Sequence, residues 1–516
     1  MSRILVGHSY FLRFDPKLWR ARQPYPPLGT LYAAALLRER GHDVAVFDAM
    51  LAASADEWHD LLHRQQPSVA VLFEDNFNYL SKMCLLRMRE AAFSMIAAAK
   101  AQGCTVIVAG ADVTDNGADY LHHGADYAVI GEGEEAVCEL IEALERGGGA
   151  EEVEGLMFRD ESGEVRSTSR RAVIRDLDAL PAPAHDLIDL DRYREAWQPR
   201  GRFSLNLVTS RGCPFHCNWC AKPIWGQRYN VRSPESIVEE IRRLRELGAE
   251  HLWFMDDILG IKPGWLTELA ERLEAEDLQT PFKCLSRADL LQRPGEVEAL
   301  RRAGCEMVWI GAESGSQSVL DAMEKGTTVE QIHASVRRLK EAGIGVAFFL
   351  QFGYPGETWE DIEATLQLVR DCDPDDVGMS VSYPLPGTPF FERVRDQMPG
   401  RHNWVDSEDM AMLYDGPFPT SFYHHLHSRL HTEFRLQKAR RNSSVAAAVS
   451  RLLRRGQARP ALGLVRDAAL LPLQRAQLQV LRRRGHADSA ALPIELTRVE
   501  AATPSGQESA PPRPKG

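Results

Sequence analysis

Three of the nine cysteines in this chain of 516 residues fall together as Cys213-Pro-Phe-His-Cys217-Asn-Trp-Cys220, a C-x3-C-x2-C spacing. They follow an apolar run, Leu205 to Val208, and a Gly212 turn, which places them on a loop at the end of a strand. Thiolates are soft ligands, and three on one short loop can each take one iron of a 4Fe–4S cluster, where electron-transfer clusters use four cysteines. One iron is then open to a small chelating ligand such as the amino and carboxylate groups of a methionine, and an electron from the cluster could break the attached C–S bond. Two other chemistries compete. Structural zinc takes a closed set of four ligands, usually as two pairs, and the nearby fourth candidate, His216, adjoins Cys217 too closely for easy tetrahedral ligation. Disulfides are disfavoured by the odd cysteine count and by an N-terminus without a secretory signal. The other six cysteines, Cys84, Cys104, Cys138, Cys284, Cys305 and Cys372, sit singly in apolar or helical contexts and read as small core residues.

The loop resembles the cluster loop of the radical S-adenosylmethionine (SAM) superfamily, including an aromatic residue, Trp219, just before the last cysteine. The resemblance implies that Cys213, Cys217 and Cys220 are the metal ligands and that Trp219 lies near the SAM adenine.

The elements that must position this loop are β/α units. From about 200 to 390, strands are expected at Ser204 to Thr209, His251 to Met255, Phe282 to Ser286, Met307 to Gly311, Gly345 to Phe352 and Val377 to Ser382, with amphipathic helices such as Pro234 to Leu247 and Val329 to Ala342 between them. Six such units make a partial (β/α)6 barrel, with functional groups at the carboxyl ends of the strands. Polar residues fall there: Asp256 and Asp257, Arg287, Glu313, then glycine-rich loops after the fifth and sixth strands. A sulfonium donor with an ammonium, a carboxylate and a ribose diol needs acids, an arginine and close backbone approach. By resemblance, Glu313 and Arg287 contact the methionine or ribose portions, Asp256 and Asp257 lie near the cofactor, and Gln351 faces the barrel interior. An acid at a strand end also serves as a helix N-cap, and that reading stands beside the other.

Residues 1–148 alternate short apolar strands (Ile4 to Val6, Asp43 to Phe47, Val69 to Phe73, Thr105 to Ala109, Tyr127 to Ile130) with helices near Leu28 to Arg40, Ala91 to Gln102 and Glu134 to Glu145. That alternation predicts a doubly wound, flavodoxin-like parallel sheet whose ligands bind beyond the carboxyl ends of the strands. The loops in that position carry Phe73, Glu74 and Asp75, then Gly110 and Asp112, then Gly131, Glu132 and Gly133. With the Pro26-Pro-Leu-Gly-Thr30 approach to the first helix, they resemble the cobalamin-binding domain found ahead of many radical SAM domains. The resemblance implies cobalamin at those residues. One departure is visible: the D-x-H-x-x-G motif that brings a histidine to cobalt elsewhere is absent, because Asp119, His122, His123 and Gly124 are out of register. No histidine is expected beneath the metal, and a cofactor-free flavodoxin-like domain is the plain alternative.

Residues 149–198 read as a linker with a hairpin turning at Glu161-Ser-Gly-Glu164, 199–395 as the barrel, 396–485 as a helical, basic region and 486–516 as a disordered tail rich in Ala, Ser, Pro and Glu. No apolar run reaches bilayer-spanning length, and a cytoplasmic enzyme is expected. The net charge of −12 argues against a general nucleic-acid partner. Between Arg435 and Gly485, however, arginines dominate and alternate with apolar runs such as Val445 to Val449 and Ala468 to Leu473. Such a segment either lies on an anionic membrane surface or packs its leucines on the enzyme. Trp404, Tyr414, Phe418, Phe422 and Tyr423, with His424, His425 and His427, either border an apolar substrate entrance or belong to the core.

Together the two halves resemble cobalamin-dependent radical SAM methyltransferases and anaerobic oxidative cyclases over residues 1–420. The resemblance implies a 4Fe–4S cluster, SAM and cobalamin as cofactors, a flavodoxin or ferredoxin as electron donor, and C-methylation of an unactivated carbon on a hydrophobic small molecule. Oxidative cyclisation and a non-enzymatic iron–sulfur or cobalamin sensor are the alternatives.

Overall fold

The computed structural model describes residues 2–398, 400, 402–442 and 458–484; the expected tail at 486–516 and the run Val445 to Val449 lie outside them. Two sheets build the body. The first contains β1 (Arg3–Gly7), β2 (Asp43–Phe47), β3 (Val69–Phe73), β4 (Thr105–Ala109), β5 (Tyr127–Val129), β6 (Leu156–Arg159) and β7 (Val165–Ser167), in the order β2-β1-β3-β4-β5-β6-β7. Its first five strands are parallel, in the order typical of flavodoxin-like sheets. The side-chain period of two sends Ile4, Val6, Val71 and Ile107 to one face, under helices Leu28–Glu39 and Glu134–Glu145. Leu5, Ala70, Leu72 and Val108 go to the other, under helices Asp56–Gln65 and Leu86–Ala101. Burial on both faces is why Val69-Ala-Val-Leu-Phe73 is an unbroken apolar run.

The hairpin expected in the linker instead continues this sheet. β6 pairs antiparallel with β5, and β7 with β6. Leu156 and Phe158 bury their side chains while β7 stays exposed as a short edge.

The second sheet holds β8 (Ser204–Leu207), β11 (His251–Phe254), β12 (Phe282–Ser286), β13 (Cys305–Glu313), β14 (Gly345–Phe352) and β15 (Asp376–Val381). All are parallel, in the order β15-β14-β13-β12-β11-β8. Between β8 and β11 a two-residue antiparallel ribbon, β9 (Ser210–Arg211) with β10 (Asn230–Val231), closes the base of the cysteine loop. Outward positions such as Leu252, Phe254, Val308, Ile310, Phe348 and Leu350 are buried under the helices, whereas inward Trp253 and Trp309 are half-buried and Phe349 keeps 36% exposure. The inner face is thus less covered than the outer one.

The C-terminal region folds back as helix Thr420–Asn442 and helix Ala458–Arg484. Glu433 receives Arg370, Arg429 and Arg475, and Asp467 receives Arg435 at 2.7 Å. Trp404, Tyr414, Phe422 and Tyr423 are buried, with Trp404 stacked on Tyr383 at 4.3 Å. They are core side chains rather than a substrate entrance. Among the described residues no helix is long and apolar enough to cross a membrane.

Candidate active site between two sheet ends

The carboxyl ends of the two sheets meet. Arg211, on β9 just before the cysteine loop, reaches Glu132 at 2.5 Å in the loop after β5 and Glu134 at 2.9 Å at the start of helix Glu134–Glu145, and all three are buried. Lys82, after β3, pairs with Asp257, after β11, at 2.5 Å. A buried arginine set between two carboxylates and over the faces of Tyr32 and Phe77 is matched in charge, and it ties the first domain to the barrel.

The cysteine loop leaves its thiols free and has its backbone held by others. Asn218, 1% exposed, is gripped on four sides. Its N–H donates to Met323 O at 3.1 Å and its amide to Ala322 O at 2.9 Å, while its Oδ1 accepts from Tyr354 and its carbonyl from Phe390 N–H. Arg287, at the end of β12, lies 3.8 Å from Cys217 Sγ, stacks at 3.6 Å over Phe215 and donates to Asp289 and Lys325 O. Burial pushes the Cys220 thiol up to about 12 and Cys213 upward as well, so metal must displace their protons to bind thiolate.

At the end of β13 the register shifts at Gly311/Glu313, and Glu313 adopts a left-handed φ of 57°. The turn drives its carboxylate back to Lys325 at 2.8 Å, and Lys325 sits over Trp219 at 5.9 Å. A Cβ at Gly311 would stand 2.7 Å from Glu313 Oε1 and 2.8 Å from Lys325 Nζ, so a side chain there would push the ends of this pair aside. Burial alone would lower the Lys325 pKa, but the charges of Glu313 and Cys217 outweigh it and raise the value. Trp219 is half-buried with its indole N–H unpartnered. Gln351 lies on the inward side of β14 and donates to Ser382 at 3.1 Å. Asp256 turns away from its neighbour: it accepts from Thr209 N–H and Oγ1 and from Ser210 Oγ, holding the bend between β8 and β9. Burial raises its pKa to about 6 despite those bonds.

On the first domain, the acids are already engaged. Glu74 accepts from Ser9 N–H at 2.9 Å, and Asp75 from Gly29 and Phe77 N–H. Asp112 takes Arg89 through both oxygens and also receives Tyr120, and Glu132 holds Arg211 and the Trp225 indole. Phe73 is buried against the Cβ position of Gly133 at 3.0 Å. Gly110 has φ 148°, and a Cβ there would strike Glu74 Cβ at 2.7 Å. Buried polar atoms without a protein partner remain along the same edge: Ser9 Oγ, Asn76 Oδ1 and Ser81 Oγ. Together with the backbone at Gly110 and Gly131, they present the small polar groups and close approach that a large corrin-type ligand needs. Three free thiols on a pinned loop likewise suit a cluster held by three cysteines. Among the described residues, no three His, Cys, Asp or Glu side chains converge as a single metal ion requires.

Asn218, Lys325, Tyr354 and Arg211 escaped the sequence reading. Each acts through a partner 79 to 136 residues away or through a turn that only the fold creates. Arg211 alone carried a local hint, a charge at the end of an apolar strand beside the cysteines.

Residues 207–369 match the model of the radical SAM superfamily, and residues 19–141 match that of the B12 binding domain. The chain thus joins an N-terminal B12-binding domain to a radical SAM domain, a pairing that implies a 4Fe–4S cluster, SAM and cobalamin as cofactors. An uncharacterized methyltransferase of Pyrococcus horikoshii is 29% identical over 371 residues, 71% of this chain and 78% of that protein. The anaerobic magnesium-protoporphyrin IX monomethyl ester cyclase of Cereibacter sphaeroides is 32% identical over 277 residues, 52% of this chain but only 45% of that protein. In fold, the chain superposes on the radical SAM methyltransferase TsrM of Kitasatospora setae, solved with cobalamin and a 4Fe–4S cluster bound. The TM-score is 0.64 at 21% identity, over 78% of this chain and 76% of that one.

Proposed function

We propose that this enzyme methylates an unactivated carbon of a hydrophobic small molecule. The observation that carries the reading is the meeting of the two sheet ends: the cysteine loop and the glycine-lined edge of the first domain face one space, locked by Arg211 to Glu132 and Glu134 and by Lys82 to Asp257. When bound, the cluster with SAM supplies a hydrogen-abstracting radical, and cobalamin supplies a transferable methyl group.

The chain's own residues bind, orient and exclude water. Cys213, Cys217 and Cys220 hold the cluster, and Arg287 steadies the loop with its charge beside Cys217. Trp219 offers a flat face and a free N–H to the adenine, while Glu313, already turned by the β13 bulge, takes the ammonium or ribose together with Asp257 and Gln351. Asp256 acts one step back, fixing the strand bend that aims the loop. Gly110, Gly131 and Gly133 let backbone approach the corrin. Glu74, Asp75, Asp112 and Glu132 hold those loops in place, Phe73 packs beneath them, and Ser9, Asn76 and Ser81 are the free polar contacts.

A flavodoxin or ferredoxin supplies electrons. Helix Ala458–Arg484 turns Arg475 and Arg482 to Glu433 and Glu360 of the body and keeps Val465, Leu470, Leu473 and Val480 exposed near Arg466, an apolar side suited to peripheral membrane contact from which a lipophilic substrate could be drawn. The second reading is oxidative cyclisation, supported by the likeness to the anaerobic cyclase. Oxygen-free purification with cobalamin supplied, followed by reductive SAM cleavage and mass analysis of the product, separates them. A gain of one methyl group supports methylation, and loss of hydrogen without a methyl supports cyclisation. Protein that binds iron and cobalamin yet leaves SAM intact would sink both.

A further inference from the structure

Below the cluster loop, the inner wall of the barrel carries side chains that none of the hydrophobic cores absorbs. Trp253, Trp309 and Phe349 face inward and are absent from all four core clusters. Trp309 and Phe349 stack at 4.6 Å and 27°, and Phe349 keeps 36% of its surface exposed inside the barrel. Gly378 on β15 makes this stack possible: a Cβ there would lie 3.2 Å from Phe349 and 3.6 Å from Trp309. The result is a flat aromatic wall open to the lumen, an arrangement that invites a planar apolar partner.

One cation stands on the same inward side. Lys283 on β12 holds its ammonium 4.7 Å over Trp253 and 5.3 Å over Tyr25, and among the described residues it has no hydrogen-bond or carboxylate partner. Its polar neighbours add no counter-charge. His251 bonds Ser204, and burial followed by the charges of Lys283 and Arg202 lowers its pKa to about 4, which leaves it neutral at neutral pH. Glu306 is occupied by Arg202 at 2.7 Å. A half-buried ammonium retained without a carboxylate has its charge available to a ligand. Lys283 on β12 and Arg287 just past its end are four residues apart, so their Cα atoms are spaced roughly 13 Å along the strand direction, with Arg287 on the side of Cys217.

Resting on the radical SAM reading above, we propose that the lumen is the substrate site and that it takes a flat, apolar, ringed molecule with a carboxylate at one end: Lys283 binds the carboxylate, Trp309 and Phe349 bind the ring face, and the far end reaches the cluster rim. Lys283 is then a specificity-determining residue, and it sets which carbon lies nearest the cysteine loop.

The test is binding without turnover, on the reconstituted full-length enzyme, with pyrenebutyrate and its methyl ester as probes and energy transfer from tryptophan to pyrene as the signal. The expected result is that wild type binds the acid about tenfold tighter than the ester, a difference of ~1.4 kcal/mol. Lys283→Gln should bring the acid to the affinity of the ester without changing the ester, and Lys283→Arg should keep most of the preference. Phe349→Ala should weaken both probes alike. Equal binding of acid and ester to wild type, no binding of either, or an unchanged preference in Lys283→Gln overturns the proposal. SAM cleavage by wild type without any probe tests the enzyme class separately, so an active enzyme indifferent to the probe's charge refutes this inference and leaves the class intact.

Discussion

The two loops that face each other across the domain boundary are built on opposite plans. The cysteine loop keeps its ligand atoms free and lets distant residues hold its backbone, with Asn218 gripped by Met323, Ala322, Tyr354 and Phe390. The edge of the first sheet spends its charged side chains on itself: Glu74, Asp75, Asp112 and Glu132 are all buried and all partnered within the protein. What it leaves free are two hydroxyls, an amide oxygen and glycine backbone. The difference follows from the ligands. A cluster needs specific, soft, charged donors, whereas a large corrin needs shape, and a buried carboxylate without a partner would cost more than it returned.

The largest effect should come from the ligand atoms. Cys217→Ser is expected to abolish reductive SAM cleavage and the brown absorbance after iron and sulfide reconstitution, with cobalamin binding retained. Cleavage at the wild-type rate would remove the cluster from this loop. Next comes the residue that joins the two plans. Arg211→Met strands Glu132 and Glu134 in a buried site and should cost about 3–5 kcal/mol in urea unfolding. It should lower cobalamin content as well as iron, because it loosens both loops, and loss of only one cofactor would show that the halves are independent. A smaller effect tests the grip on the cysteine backbone. Asn218→Ala leaves Ala322 O with one donor fewer and should cost about 1–3 kcal/mol. It should be read as faster iron loss to a chelator, with cobalamin affinity unchanged.

These contrasts also mark what could be read from the chain alone. Strands buried on both faces are legible because the fold leaves them almost no polar position, as β3 and β4 show; β2, β12 and β14 also keep the expected bounds although they carry Asp43, Lys283 and Gln351. Helix Asp56–Gln65 buries only Trp58 and Leu62, too few positions to fix a period, and the β6–β7 hairpin shows its membership only through pairing with β5. The cysteines are legible because three rare residues at fixed spacing carry their own chemistry. The acids of the first domain are not, because an acid that binds a ligand and one that binds Arg89 or Arg211 are the same letter until the fold supplies the partner. Small residues such as Ser9 and Asn76 become candidates only when every other polar atom around them has been paired.

The expected effect furthest from both loops arises where the C-terminal helices dock, and it depends on pH. Burial alone would raise the Glu433 pKa, but hydrogen bonds from Arg370, Arg429 and Arg475 outweigh it and lower the value to about 2. A carboxylate depressed on folding contributes stability that is complete above its unfolded pKa, about 4.3, and that fades as pH falls toward 2. Docking of helix Thr420–Asn442 should therefore hold from neutral pH down to about 5 and weaken below it. In Glu433→Gln the low-pH loss should shrink, since the titrating group is gone, while stability at neutral pH drops by about 1–3 kcal/mol. Thermal unfolding from pH 7 to 3 on both proteins reads the difference. Parallel pH profiles would show that the three arginines are anchored by other carboxylates, with Glu363 the first candidate, at 2.8 Å from Arg429.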